Sequence, residues 1–387
     1  MPVKILVVDD EPDLQIVIRQ IFGKKIRENQ YQFAFAHNGI EALEKLKHNG
    51  GFDLVLSDIN MPEMDGLALL AKLNEMNDLL KTVMVSAYGD MKNIRAAMNC
   101  GAYDFVTKPI DFKDLEITIS KTLQELETLK QAVEANKKLD HIQQELNVAK
   151  EIQQSILPRN FSIFPNGCQF EIYAEMISAK EVGGDFYDFF LIDKDHLGLV
   201  IGDVSGKGMP AAIFMAISQT LIKATAFKVG STSDCLYQVN NLLSQYNPRA
   251  MFVTLFYGVL NLLTGELDYC NGGHNHPCIL SADGQARFSE KSGNLALGIL
   301  ENFGYKSNHL VLQPGDTLVL YTDGITEAMD IHLNEFSEER LRTYLQQAAD
   351  SSAEEIINEI IKEVKAFAGE APQSDDITSL VIKCTQS

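Results

Sequence analysis

The acidic residues that could do chemistry in this chain stand where apolar runs end, and they fall into two sets. In the first, Asp9 and Asp10 follow one apolar run, Asp58 follows another, and Ser86 and Lys108 stand at the ends of two more. Three carboxylates brought together repel one another unless a divalent cation sits among them, and Mg²⁺, a hard ion that takes oxygen ligands, suits such a trio. Asp58 is then a carboxylate nucleophile able to attack phosphorus and carry an aspartyl phosphate, with the Lys108 charge and the Ser86 hydroxyl facing the phosphoryl oxygens. In the second set, Asp185, Asp203, Asp323 and the doublet of Asp375 and Asp376 each stand beside glycine or turn residues next to an apolar run. Oxygen ligands without His or Cys select Mg²⁺ or Mn²⁺ over zinc, and two such ions about 3.5–4 Å apart clamp a phosphate ester and activate a water between them. That chemistry is direct hydrolysis without a phosphoenzyme.

Carboxylates separated this far in sequence need a scaffold that gathers strand ends. From residue 3 to about 121, apolar runs at 3–8, 33–36, 52–57, 82–86 and 103–106 alternate with helical patterns. Such a βα repeat predicts a doubly wound parallel sheet, whose sites lie at the carboxyl ends of its strands. From 111 to 156 the chain has neither glycine nor proline, and apolar residues recur at helical spacing: Leu126, Leu129, Val133, then Leu139, Ile142, Leu146, Ala149 and Ile156. One long helix or two is expected there, with a phase slip near Asn136 and a stop at Pro158. Its narrow apolar stripe has the spacing of a coiled-coil seam, to be buried either in a homodimer or against the chain's own domains. Beyond Pro158, strand-like runs at 171–178, 197–202, 252–260, 265–271 and 317–321, with helical stretches near 210–226, 235–246 and 353–366, predict an α+β domain of packed antiparallel sheets. The expected division is 1–120, a helical linker at 121–157, and 158–387.

A length of 387 residues calls for more than one hydrophobic core, and an apolar share of 45% is ordinary for globular protein. A formal net charge of −20 argues against nucleic acid or anionic lipid surfaces as partners and favours divalent cations. No apolar run reads as a membrane span and the first residues lead directly into a strand, so a cytoplasmic location is expected. The six cysteines include no C-x-x-C pair, which suits reduced thiols. Cys270, His274, His276 and Cys278 crowd one segment with zinc-capable side chains, yet their Asn, Gly and Pro neighbours read as turn chemistry.

The first set resembles the CheY-like receiver of two-component response regulators over about 120 residues. The resemblance rests on Val7-Val8-Asp9-Asp10-Glu11, Asp58 followed by Met61-Pro62-Glu63-Met64-Asp65-Gly66, Ser86-Ala87 and Lys108-Pro109. It implies that Asp58 accepts phosphate from a histidine kinase, that Asp9 and Asp10 with the Asn60 carbonyl hold Mg²⁺ beside it, and that Ser86 with Phe105 relays the switch. The second set lies in Val182-Gly183-Gly184-Asp185-Phe186, Gly202-Asp203-Val204-Ser205-Gly206, Tyr321-Thr322-Asp323-Gly324 and Ser374-Asp375-Asp376-Ile377-Thr378. Together with Ala149-Lys150-Glu151-Ile152-Gln153 and Asn271-Gly272-Gly273-His274-Asn275, these segments resemble the metal-dependent PPM phosphatases of serine and threonine phosphates, in the stress-response and sporulation branch typified by RsbU and SpoIIE. That resemblance implies two Mn²⁺ or Mg²⁺ ions. Asp203 would bridge them, the Val204 carbonyl would assist, Asp185 and Asp323 would ligate, and Asp375 or Asp376 would complete the site. It also implies a STAS-domain anti-sigma-factor antagonist as substrate. Eukaryotic members hold the substrate phosphate with an arginine. No counterpart stands near Asp185, where Lys180 is a weak substitute.

Two look-alikes fail on their own residues. Gly183-Gly184-Asp185-Phe186 lacks the second acid of a GGDEF signature, and the stretch from Gly202 to Lys207 is one residue short of a P-loop, with Gly208 where Ser or Thr is needed. A rival of another class is a phosphorylation-gated binding module that sequesters a partner with little catalysis. In the favoured reading, phosphorylation of Asp58 shifts the receiver between two conformations and the linker passes this on to the metal site.

Overall fold

The structure, a computed structural model, describes residues 2–385 except 49–50, 77–78, 88–89, 165–168, 246 and 248. Cys168 and Tyr246 lie outside the described residues. By internal contacts the chain divides into two units, Met1–Ile142 and Gln143–Ser387.

The first unit runs β1 (Val3–Val8), α1 (Pro12–Ile21), α2 (Gly23–Arg27), β2 (Tyr31–Ala36), α3 (Gly39–His48), β3 (Leu54–Asp58), α4 (Gly66–Met76), β4 (Lys81–Ala87), α5 (Met91–Asn99), β5 (Asp104–Lys108) and the start of α6 (Phe112–Ile156). Its five strands are parallel in the order β2-β1-β3-β4-β5. Both faces of the sheet are covered, which is why its strands read as unbroken apolar runs. Along β1, Ile5 and Val7 join a core with Ile18, Phe22 and Val106, while Leu6 and Val8 join one with Ala42, Leu69 and Leu73. The strand order reverses between β1 and β3, and open α/β sheets build their sites outside the strand ends at such a point.

Of the one helix or two expected here, the structure has one, of 45 residues, which runs through Asn136 unbroken. Leu126 is buried, whereas Leu139, Ile142, Val148 and Ile152 are all more than half exposed.

The second unit continues with β6 (Phe170–Ile177), β7 (Phe186–Leu191), β8 (His196–Val204), α7 (Met209–Ala226), α8 (Thr232–Gln245), β9 (Val253–Asn261), β10 (Glu266–Gly272), β11 (Cys278–Leu280), β12 (Ala286–Phe288), β13 (Asn308–Val311), β14 (Thr317–Tyr321), α9 (Asp323–Thr326), α10 (Ser337–Leu345), α11 (Ala353–Ala368) and β15 (Ile377–Cys384). Two antiparallel five-stranded sheets form, β13-β10-β9-β8-β7 and β12-β11-β14-β15-β6. Period-two alternation gives β14 and β15 of the second sheet two apolar faces. Leu318, Leu320, Leu380 and Ile382 enter the core shared with the first sheet and with α7 and α8. Val319, Tyr321, Ile377 and Val381 pack instead with Ile356, Ile357 and Ile360 of α11. A capping box of Ser352 and Glu355 starts α11.

One expectation is corrected here. The helix α7 is long and apolar enough to cross a bilayer by length and composition. In this fold its Ala211, Phe214, Met215 and Ile222 are buried in the core that it shares with both antiparallel sheets.

Candidate functional site

In the first unit, Asp9 and Asp10 leave the end of β1 and Asp58 ends the adjacent β3, so the topology puts all three at the switch point. Each offers an oxygen within 4.8 Å of the others, with Asp9 and Asp58 buried and Asp10 exposed. Lys108, the last residue of β5, places its ammonium 2.6 Å from Asp58 Oδ2, 3.0 Å from Asp9 Oδ2 and 3.1 Å from Glu11 Oε1. The ammonium meets Asp9 Oδ2 as an ion pair only, so this buried oxygen has no aligned hydrogen bond and can turn to a cation. Burial raises the Asp9 carboxyl above its ordinary range, against the Glu11 N–H and Lys108, which lower it. Burial works to lower Lys108, but its hydrogen bond to Asp58 and the carboxylates of Asp58 and Asp9 outweigh that and raise it.

Asn60 donates its backbone N–H to Asp58 Oδ1 at 3.2 Å. The Ser86 hydroxyl is buried without a hydrogen-bond partner, one step past Val85, the residue that pairs with Asp58 across β3 and β4. Phe105 is half-buried against the cluster around Met84 and Ala97. Gly66 is required here, because a Cβ would stand 2.1 Å from the Asp58 carbonyl oxygen. Glu11, which the sequence reading left without a role, completes the surroundings of Lys108.

In the second unit both sheets bring acids to one end. Asp185 precedes β7 and Asp203 lies near the end of its antiparallel partner β8. Asp323 follows β14, and Asp375 and Asp376 precede the antiparallel β15. Polar contacts join the two ends: Thr322 donates its hydroxyl to Asp185 Oδ2 at 2.7 Å, and Gly184 donates its N–H to Asp376 Oδ2 at 2.7 Å. The approach is close enough to demand glycine. A Cβ on Gly183 would lie 2.2 Å from Asp376 Oδ2, and one on Gly324 1.9 Å from the Asp376 carbonyl oxygen. The Val204 carbonyl oxygen faces the same loop, 2.8 Å from where a Gly184 Cβ would stand.

Burial, then the charges of Asp203 and Asp376, raise Asp185 well above the ordinary carboxylate range. Burial and Asp323 push Asp203 up to about 7, and burial and Asp375 raise Asp323. Desolvated acids facing one another in this way fit divalent cations, which relieve both causes. Among the described residues, no three of these carboxylates offer oxygens mutually within 4.8 Å, unlike Asp9, Asp10 and Asp58. A pair of ions with one bridging carboxylate needs a wider spread than a single ion does.

The doublet divides its work. Asp376 Oδ1 accepts the Ala179 N–H at 2.8 Å, and its Oδ2 accepts those of Gly184 and Asp185 at 2.7 and 3.4 Å, so both oxygens tie backbone. Asp375 is half-exposed, and its Oδ2 lies 2.8 Å from the Lys207 ammonium.

Three contributors escaped the sequence reading. Gln153, buried near the end of α6, exchanges two hydrogen bonds with Gly183, donating to its carbonyl at 2.7 Å and accepting its N–H at 3.1 Å. Thr322 was quoted only as a motif neighbour. His274, which burial lowers to about 3, is a neutral imidazole bonded through Nδ1 to the Thr254 hydroxyl at 2.9 Å. That hydroxyl reaches the Asp203 carbonyl at 3.4 Å. Cys270 and Cys278 are buried, their thiols pushed up to about 12 by desolvation, which is poor preparation for zinc.

Comparison with known proteins adds the following. Residues 193–385 match the stage II sporulation protein E (SpoIIE) family and residues 5–120 the response regulator receiver domain family. Protein IcfG of Synechocystis sp. is 32% identical over 62% of this chain, although the match spans only 41% of that protein. Phosphoserine phosphatase RsbU of Bacillus subtilis is 28% identical over 62% of this chain and 70% of its own length. The SiaA-PP2C domain of Pseudomonas aeruginosa shares the fold, with a TM-score of 0.57 over 64% of this chain and 98% of that one at 23% identity.

Proposed function

The chain joins a response regulator receiver domain to a PPM-type serine/threonine phosphatase domain of the SpoIIE and RsbU kind, and on that premise we propose that phosphorylation of Asp58 governs metal-dependent hydrolysis of phosphoserine or phosphothreonine on a regulatory protein. The observation that carries this reading is the meeting of buried, mutually repelling carboxylates from both sheets at one end of the sandwich.

In the receiver, Asp9, Asp10 and the Asn60 carbonyl would hold Mg²⁺ beside Asp58. Asp58 takes the phosphoryl group of a histidine kinase, Lys108 holds its oxygens, and the orphaned Ser86 hydroxyl turns toward it with Phe105 following. In the phosphatase, Asp203 would bridge two Mn²⁺ or Mg²⁺ ions with Asp185, Asp323, Asp375 and the Val204 carbonyl as further ligands. Asp375 is favoured over Asp376, because turning Asp376 to a metal would strand the buried N–H groups it now accepts. Bound there, the ions supply an activated water and screen the phosphate's charge. Thr322 fixes the rotamer of Asp185, and Asp376 pins the loop that carries it.

The route between the domains runs through α6. Gln153 grips Gly183, two residues from Asp185, so a turn or shift of this helix repositions a ligand. The exposed Leu139 and Ile142, three residues apart on one face, suit a second copy of α6 across a homodimer. A STAS-domain anti-sigma-factor antagonist is the substrate this reading favours, in the cytoplasm. The first test is hydrolysis of a phosphoserine protein by the full chain with Mn²⁺, with chelator, and in an Asp203→Ala variant. Turnover confined to the Mn²⁺-loaded wild type is expected. No turnover of a competent substrate, with partner binding intact in both proteins, would favour the binding-module reading.

A further inference from the structure

The arginine that holds phosphate in eukaryotic relatives has no counterpart near Asp185, yet the turn after Asp203 brings another cation to the aspartates. Lys207 lies between β8 and α7, flanked by Gly206 at φ 90° and Gly208 at φ 77°. A Cβ at either glycine would meet nothing within 4 Å, so these glycines serve the left-handed course of the turn and not a tight approach. Lys207 reaches from this turn to the last of the aspartate segments. Its ammonium stands 2.8 Å from Asp375 Oδ2 and donates to the Ser374 carbonyl. Among the described residues, no other lysine or arginine forms an ion pair with any of the five aspartates, and Lys180 is exposed.

Two features distinguish this ammonium from a mere counter-charge. A group placed to neutralise the cluster would sit against its most desolvated members, Asp185 and Asp203, whereas Lys207 pairs with the half-exposed Asp375. An ammonium has three donors, two of which are spent on Asp375 and Ser374. With the side chain 40% exposed, the third remains for an incoming phosphoester.

We propose that Lys207 binds the phosphate of the substrate, contacting the non-bridging oxygens of a phosphomonoester while the aspartates hold the metals. The proposal rests on the phosphatase reading and names the residue that substitutes for the missing arginine.

The test is calorimetric titration of inorganic phosphate into the Mn²⁺-loaded full chain, as wild type, Lys207→Gln and Lys207→Arg, with Mn²⁺ affinity measured on the same proteins. A charge-assisted hydrogen bond lost in Lys207→Gln should weaken phosphate binding about tenfold or more. Lys207→Arg should recover most of it, with Mn²⁺ affinity changed less than about threefold and KM for p-nitrophenyl phosphate rising in parallel. Unchanged phosphate affinity in Lys207→Gln overturns the proposal and leaves Lys207 a counter-charge of Asp375. Loss of phosphate binding accompanied by an equal loss of Mn²⁺ affinity overturns it as well. Should the wild type bind phosphate through Lys207 without hydrolysing any ester, the phosphatase reading falls while the anion site stands.

Discussion

Replacing Asp203 by Asn should stabilise the metal-free phosphatase domain, by an amount that grows with pH. Burial and the Asp323 charge push the Asp203 carboxyl from an ordinary 3.8 to about 7. Between those values the folded chain binds a proton that the unfolded chain has released, so stability falls as pH rises through that window and the loss is complete above 7. A shift of about 3 units at about 1.36 kcal/mol each corresponds to about 4 kcal/mol at pH 8, and to about 1–2 kcal/mol at pH 5. Asn bears no charge and escapes this loss. Calorimetric melting of chelator-treated full chain resolves the two domains, and the variant's phosphatase transition should lie roughly 8–16 °C higher at pH 8, at about 2–4 °C per kcal/mol. Mn²⁺ should reverse the order by stabilising only the wild type. Equal melting at pH 8, or a gap that does not change between pH 5 and 8, would refute the claim that these aspartates are held charged against their surroundings.

Asp375→Asn and Asp376→Asn should differ in kind. The first should weaken Mn²⁺ binding and leave the chelator-treated melting temperature nearly unchanged, whereas the second turns an amide toward backbone donors and should lower stability by about 1–3 kcal/mol, both read by calorimetry. Gln153→Ala removes both bonds to Gly183 and should leave Mn²⁺-dependent hydrolysis unresponsive to loading of Asp58, measured as the ratio of rates with and without it. Charging the exposed stripe with Leu139→Lys and Ile142→Lys together should convert a dimer to a monomer in analytical ultracentrifugation, and an unchanged mass would assign the stripe to packing within one chain.

The receiver was legible because its parallel strands are buried on both faces, so β1, β3 and β4 read as apolar runs ending in the residues that do the chemistry. The phosphatase was legible as a set of motifs more than as strands. β7 and β15 are masked in the sequence by the aspartates that precede them, although Phe186–Leu191 and Ile377–Cys384 are buried along nearly their whole length. β11, β12 and β13, of three or four residues, are too short for period-two alternation to register. The choice within the doublet was out of reach because it depends on which carboxylate finds the N–H groups of Ala179 and Gly184, nearly two hundred residues away in sequence. Gln153 stood in a segment that carried the resemblance but without a role, and its reciprocal bonds with Gly183 supply one. Lys207 was weighed as part of a failed P-loop, and its carboxylate partner came from the far end of the chain.

The central claim, that Asp58 controls the phosphatase, is tested most directly by the Mn²⁺-dependent rate on a phosphoserine STAS-domain protein, with the full chain untreated and with Asp58 loaded with beryllofluoride. The account predicts turnover that requires Mn²⁺ and changes on loading, with the change abolished in Asp58→Asn. Equal rates in the loaded and untreated chain would contradict it.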